Sequence, residues 1–135
     1  HMRGEPTTMN NLDQYNDVVT DVMQELQQRV DDALQAGIRR EHIMIDPGFG
    51  FGKLQVHNLE LLNRLSVFSE IGCPLLVGLS RKAFLGKILN RQVQDREWGT
   101  AAAVALAVDR GASIIRVHDV AATVDVLKVL SAANG

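Results

Sequence analysis

Three short apolar runs, HIMID (42–46), PLLVGLS (74–80) and SIIRVHD (113–119), each end in polar residues, and the stretches between them carry helical periodicity. This alternation constrains the fold more than any other feature. Runs that are apolar throughout, rather than at every second position, belong to strands covered on both faces, and parallel strands joined by crossover helices meet that requirement. Over 16–36 the residues Val18, Val19, Val22, Met23, Leu26, Val30, Ala33 and Leu34 recur every three or four positions, which predicts a helix stopped by Gly37. A second helix is expected over 58–71, with Asn58 as its N-cap and Leu59, Leu62, Leu65 and Phe68 inward. The alanine-rich WGTAAAVALAVDRG predicts a third helix, closed by Gly111, and TVDVLKVL a last one. No linker or low-complexity tract interrupts residues 1–135, so one domain is expected. A complete (β/α)8 barrel takes about 250 residues, so three strand–helix units and a stub amount to roughly half of one. A small doubly wound sheet is the alternative.

Composition narrows the function. With 14 Lys and Arg against 16 Asp and Glu, the formal charge is −2, and no basic stripe is present to follow a phosphate backbone, so a nucleic-acid partner is not expected. The sequence has no long apolar span and no signal-peptide pattern, which predicts a cytoplasmic protein without a membrane partner. The lone Cys73 is expected to be a small packing residue. His42 and His57 read as surface residues, and Trp98 as packing.

The polar strand ends carry the chemistry. They bring Asp46 from the first run, Ser80, Arg81 and Lys82 after the second, and Arg116, His118 and Asp119 from the third. In parallel α/β folds the carboxyl ends of the strands share one face, so these groups should converge on one mouth. Strand alternation puts Arg116 and His118 on one side and Val117 on the other. The segment MIDPGFGFGK (44–53) fits neither the Walker loop, which would need glycine where Pro47 stands and a hydroxyl where Leu54 stands, nor the dinucleotide fingerprint. Glycine alternating with phenylalanine suggests instead a loop that approaches a flat ligand and lays Phe49 or Phe51 against it. Asp46 is either a turn-forming carboxylate or an acceptor for two parallel N–H donors, as an aminopyrimidinone edge presents. Arg116 with His118 either clamps an anion or pairs with Asp119. No nucleophile–base pair is evident from spacing.

The motifs DPGFGFGK, VGLSRKAFLG and IIRVHDV, in that order and preceded by HMRGEPTTM, resemble the dihydropteroate synthase family over its C-terminal half. The opening is similar to that family's HM-x-G-x-P-x-TM segment after the fifth barrel strand, so His-Met reads as the end of a native strand rather than a cloning scar. The resemblance implies an α/β fold, the TIM (β/α)8 barrel of pterin-binding enzymes, with this chain supplying strands 6–8 and their flanking helices. It further implies condensation of hydroxymethyl-dihydropterin diphosphate with 4-aminobenzoate to dihydropteroate, with release of diphosphate, the sulfonamide-sensitive step of folate biosynthesis. In that family's terms Asp46 holds the pterin's amino and ring N–H edge, while Phe51 and Gly78 wall the pocket. Lys82 lies between pterin and aminobenzoate, Ser80 lies near the aminobenzoate carboxylate, and Arg116 and His118 receive the diphosphate. Lys82, Arg116 and His118 are thus the catalytic candidates. Magnesium and a homodimer are implied too, with the metal's asparagine ligand in the N-terminal half and no metal site in this chain. Residues 1–135 alone are expected to have little or no activity and to expose strand edges and apolar surface. A pterin-dependent methyltransferase, a non-catalytic half-barrel module and a Schiff-base role for Lys82 are the competing expectations.

Overall fold

The computed structural model describes residues 1–5, 7–8 and 13–135, so Pro6 and Met9 of the opening motif lie outside the described residues. Helix α1 (Val18–Gln35) begins where the Asp17 carboxylate accepts the Thr20 amide at 2.7 Å, and it buries Val18, Val19, Val22, Leu26 and Val30 along one face. The Thr20 amide, helped by the Arg64 guanidinium at 2.8 Å, holds the Asp17 carboxyl down to about 2, which ties the start of α1 to the end of the next helix.

The wall of the fold is an arc of parallel staves in chain order. Ile45 bridges Leu75 in parallel, and β1 (Leu76–Val77) pairs with β2 (Ile114–Ile115), Leu76 opposite Ile114 and Val77 opposite Ile115. On the other side of Ile45, the backbone nitrogen of His1 donates to the Asp46 carbonyl. Regular pairing is shorter than the apolar runs that predicted it. Pro74 brings no N–H to the ladder, and the polar strand ends leave it to form loops. The expectation that all three strands are buried on both faces also fails for β2, whose residues are half-buried because no strand flanks its outer edge among the described residues.

Helix α2 (Gln55–Asn63) and a 3-10 stretch, Leu65–Ile71, replace the single helix expected over 58–71. Asn58 is not its N-cap. It sits inside α2 at 2% exposure, accepts the Gly50 amide at 2.7 Å and donates to the carbonyls of Leu54 at 2.8 Å and Lys53 at 3.3 Å. The N-cap is Leu54, whose amide donates to Nδ1 of His57 in the first turn at 3.1 Å; rather than lying on the surface, His57 is half-buried, edge-on to Tyr15. Asn58→Ala would leave the Gly50 N–H and two carbonyls without these partners. A loss of about 2–3 kcal/mol is expected in urea unfolding, since a buried donor without a partner costs its full desolvation.

Helices α3 (Ala83–Leu89), α4 (Glu97–Asp109) and α5 (Val120–Asn134) complete the outer layer. The core gathers Phe49, Leu61, Leu65, Phe68, Val77 and Leu79 between this layer and the staves, and Cys73 is buried with them as expected. Trp98 does not pack as expected. The inward positions of α4 go to Thr100, Ala103, Val104 and Ala107, which leaves the indole 82% exposed. No residue of α5 is buried, and Val120, Val124 and Val129 are exposed, in line with the apolar surface expected of a partial barrel. Among the described residues no helix is long and apolar enough to cross a membrane.

Candidate active site

The glycine-rich loop after Ile45 sorts its two phenylalanines by alternation. Phe49 turns inward, fully buried and stacked on Phe84 with ring centroids 6.4 Å apart, while Phe51 stays half-exposed at the mouth. Of the two rings the sequence left open, Phe51 is therefore the one that can meet a ligand. Gly48 makes the turn possible: its φ is +76°, and a Cβ there would overlap the His1 carbonyl. The Asp46 carboxylate both shapes this turn and faces the mouth, because one oxygen, Oδ1, accepts the Gly48 amide at 2.8 Å. Its second oxygen and remaining lone pairs are left for a donor pair.

The two lysines beside this loop have different duties. Lys53 points inward: its Nζ donates to the carbonyls of Gly48 and Phe51 and to His1 Nδ1, each at 3.0 Å. Burial lowers its pKa to about 8, against the pull of the Asp46 and Glu25 carboxylates. Lys82 instead holds its Nζ 4.4 Å from the centroid of the Phe51 ring, a cation–π contact at the mouth. Its pKa is lowered by burial first and by Arg116 second, while Asp46 opposes both. Asp46, Lys82 and Arg116 are thus within electrostatic reach of one another.

From the third stave, the Arg116 guanidinium lies directly over Gly78, in the space a Cβ would fill. Two residues on, His118 Nδ1 is 2.7 Å from Ser80 Oγ, and the His118 amide also donates to that oxygen at 3.2 Å. The hydroxyl accepts the amide and turns its own proton to Nδ1, which fixes the ring and presents Nε2 outward. Spacing did not reveal this Ser80–His118 pair. Asp119, the alternative partner for Arg116, instead caps α5 by accepting the Ala122 amide at 3.1 Å. Contact and charge thus link Asp46, Phe51, Gly78, Lys82 and Arg116, while Ser80 and His118 pair with each other. Gly78→Ala is expected to weaken diphosphate binding about tenfold by displacing one charge-assisted contact. The melting temperature should hardly move, because the displaced atoms are the far end of a flexible side chain; titration and calorimetry on the same samples would show the split.

Residues that the sequence reading missed support these groups from behind. Arg81 stands at φ +57°, a strained conformation for a residue with a Cβ. Thr100 Oγ1 accepts its amide at 3.1 Å and Arg96 donates to its carbonyl at 2.9 Å, so α4 fixes the peptide between Ser80 and Lys82. These contacts span 19 and 15 residues, and no local pattern announces them. A groove of about 870 Å³ runs between α4 and α5 past Trp98, Val104 and Val126. Ser80, Arg81 and Asp119 help to line it, but Asp46, Lys82 and Arg116 do not. The converging donors and charges mark the site better than that volume does. Among the described residues no three His, Cys, Asp or Glu side chains lie close enough to hold a metal ion.

The family model described as Pterin binding enzyme matches residues 1–118. The chain belongs to that family. The chain is 50% identical over 132 residues to the dihydropteroate synthase of Haemophilus influenzae, an alignment that covers 98% of it and 48% of the relative. The crystal structure of a dihydropteroate synthase from Stenotrophomonas maltophilia, with imidazole bound in its active site, superposes on all of the chain with a TM-score of 0.97 at 48% identity, over 51% of the solved chain. A dihydropteroate synthase from Thermus thermophilus, in complex with 4-aminobenzoate, does so with a TM-score of 0.94 at 42% identity, over 55% of the solved chain. The chain spans about half the length of the relatives it matches. Its arc of parallel staves is part of a TIM (β/α)8 barrel, as the resemblance implied, and not the small doubly wound sheet that the alternation also allowed.

Proposed function

We propose that the protein carrying this segment is a dihydropteroate synthase, which joins hydroxymethyl-dihydropterin diphosphate to 4-aminobenzoate and releases diphosphate. The observation that carries this reading is an acceptor carboxylate, Asp46, and two cations, Lys82 and Arg116, within electrostatic reach of one another, with Lys82 lying on the face of Phe51. A pterin would give its amino and ring N–H groups to Asp46 and lay its plane against Phe51. The aminobenzoate nitrogen attacks the pterin methylene carbon, the C–N bond forms as the C–O bond to diphosphate breaks, and the amine loses a proton to solvent. Charge builds on the departing oxygens, where the Arg116 guanidinium and the outward Nε2–H of His118 stabilise it. No covalent enzyme intermediate is needed in this scheme, because the aryl amine is itself the nucleophile.

The relatives named as synthases, and the Thermus thermophilus complex with 4-aminobenzoate, support this reading over methyl transfer, which no observation favours. Sulfonamides would compete at the aminobenzoate place. The magnesium that the resemblance implies finds no ligand cluster among the described residues, and in this proposal belongs to the intact protein. A cytoplasmic homodimer is proposed on the same resemblance. The test is diphosphate release by the intact protein from the pterin diphosphate. Release that requires 4-aminobenzoate and yields an equal amount of dihydropteroate is expected; release that ignores the amine, or no turnover, would overturn the proposal.

A further inference from the structure

Lys53 is the cation that the loop sequence made conspicuous and that the proposed chemistry leaves without a role. Its ammonium has three hydrogens and three acceptors: the Gly48 and Phe51 carbonyls and His1 Nδ1, all at 3.0 Å. The partners fix the histidine's tautomer. An ammonium only donates, so Nδ1 must be the acceptor and the ring proton must sit on Nε2, where Glu25 Oε2 receives it at 2.7 Å. The other oxygen, Glu25 Oε1, is held by Arg3 through Nε at 2.9 Å and Nη2 at 2.6 Å. Arg3 in turn lies over the Tyr15 ring at 4.0 Å, and Tyr15 Oη donates to the Gly52 carbonyl at 3.2 Å. The result is a closed circuit from the glycine loop through the opening segment to α1 and back to the loop.

The circuit acts on geometry. The carbonyls that Lys53 clamps belong to Gly48, whose amide sets the Asp46 carboxylate, and to Phe51, whose ring faces Lys82. We infer that Lys53 is a positioning residue, whose ammonium, oriented by the His1–Glu25–Arg3 relay, holds the Asp46 carboxylate and the Phe51 ring in register for one planar ligand. The inference rests on the pterin reading for the identity of that ligand. It places no contact between Lys53 and the ligand. The Arg116–His118 end of the mouth is built on the third stave, outside the circuit.

That separation supplies the test. A pterin analogue and inorganic diphosphate are titrated separately into the wild-type chain, Lys53→Met and Glu25→Gln, and amide exchange is followed at residues 48–52. Lys53→Met should weaken the pterin analogue tenfold or more, leave diphosphate within twofold, and speed exchange at Gly48 and Phe51. Glu25→Gln should shift both readouts the same way by less: with its oxygen on Arg3, its amide faces His1 Nε2 and drives the ring to the tautomer that cannot accept from Lys53. Equal weakening of pterin and diphosphate would mean general loosening and would overturn the inference, as would unchanged pterin binding and exchange in Lys53→Met. If the wild-type chain binds no pterin, the functional reading suffers, while the exchange rates still decide whether Lys53 orders the loop. If Lys53→Met does not fold, the Glu25→Gln comparison decides alone.

Discussion

Asp46→Asn is expected to reduce pterin affinity by about a hundredfold or more while leaving the chain folded. The two effects separate because of the contact inside the loop. Asp46 Oδ1 already accepts the Gly48 amide at 2.8 Å, so an asparagine must place its oxygen there and turn its NH2 group to the mouth. A ligand edge made of N–H donors then meets another donor. One charge-assisted hydrogen bond is lost and a second becomes repulsive, roughly 3 kcal/mol in all by the usual worth of hydrogen bonds to charged groups. Calorimetric titration with a pterin analogue measures the loss, and the urea midpoint should stay near that of the parent chain. Unchanged affinity would remove Asp46 from the site.

Gly48→Ala is expected to have the opposite profile, a large loss of stability that carries binding away with it. At φ +76° an alanine bears left-handed strain of about 1–2 kcal/mol. Its Cβ would also overlap the His1 carbonyl, a backbone atom beside the His1–Asp46 hydrogen bond that holds the opening stave in place. Together these should cost about 3 kcal/mol or more, in the range reserved for named structural faults. Gly37→Ala is the control. Gly37 stands at φ +92° with nothing within 4 Å of an added Cβ, so it should show the strain alone. If urea unfolding gave the two variants equal losses, the overlap at His1 would not be the cause.

The sequence announced the parts of the fold that repeat locally and missed those that depend on distant partners. Helix α1 and its stop were readable because the apolar spacing and Gly37 act over single turns. The convergence of Asp46, Ser80, Lys82, Arg116 and His118 was readable because parallel strands share an exit face. Asn58 was misassigned as a cap because an asparagine near a helix start usually serves the helix, whereas here its oxygen serves the amide of Gly50 eight residues earlier. Lys53 was left without a role, since nothing in a glycine-rich stretch shows that its ammonium turns inward onto a histidine 52 residues away. Trp98 was misplaced because α4 is apolar nearly all round, and an alanine-rich helix carries no strong stripe to say which side is in.

The order of the staves sets the order in which this segment can assemble. Each stave pairs with the next one along the chain, so the contacts of one strand–helix unit are complete as soon as the following unit has docked. Short loop closures of this kind favour growth of the wall from one end, in step with synthesis. The mouth, by contrast, draws on residues from Asp46 to His118, and the Ser80–His118 hydrogen bond joins units 38 residues apart. Ligand competence is therefore the last property the segment acquires, once β2 has closed against β1. A nascent chain halted before residue 116 would hold the Asp46 carboxylate and the Phe51 ring while lacking both Arg116 and His118.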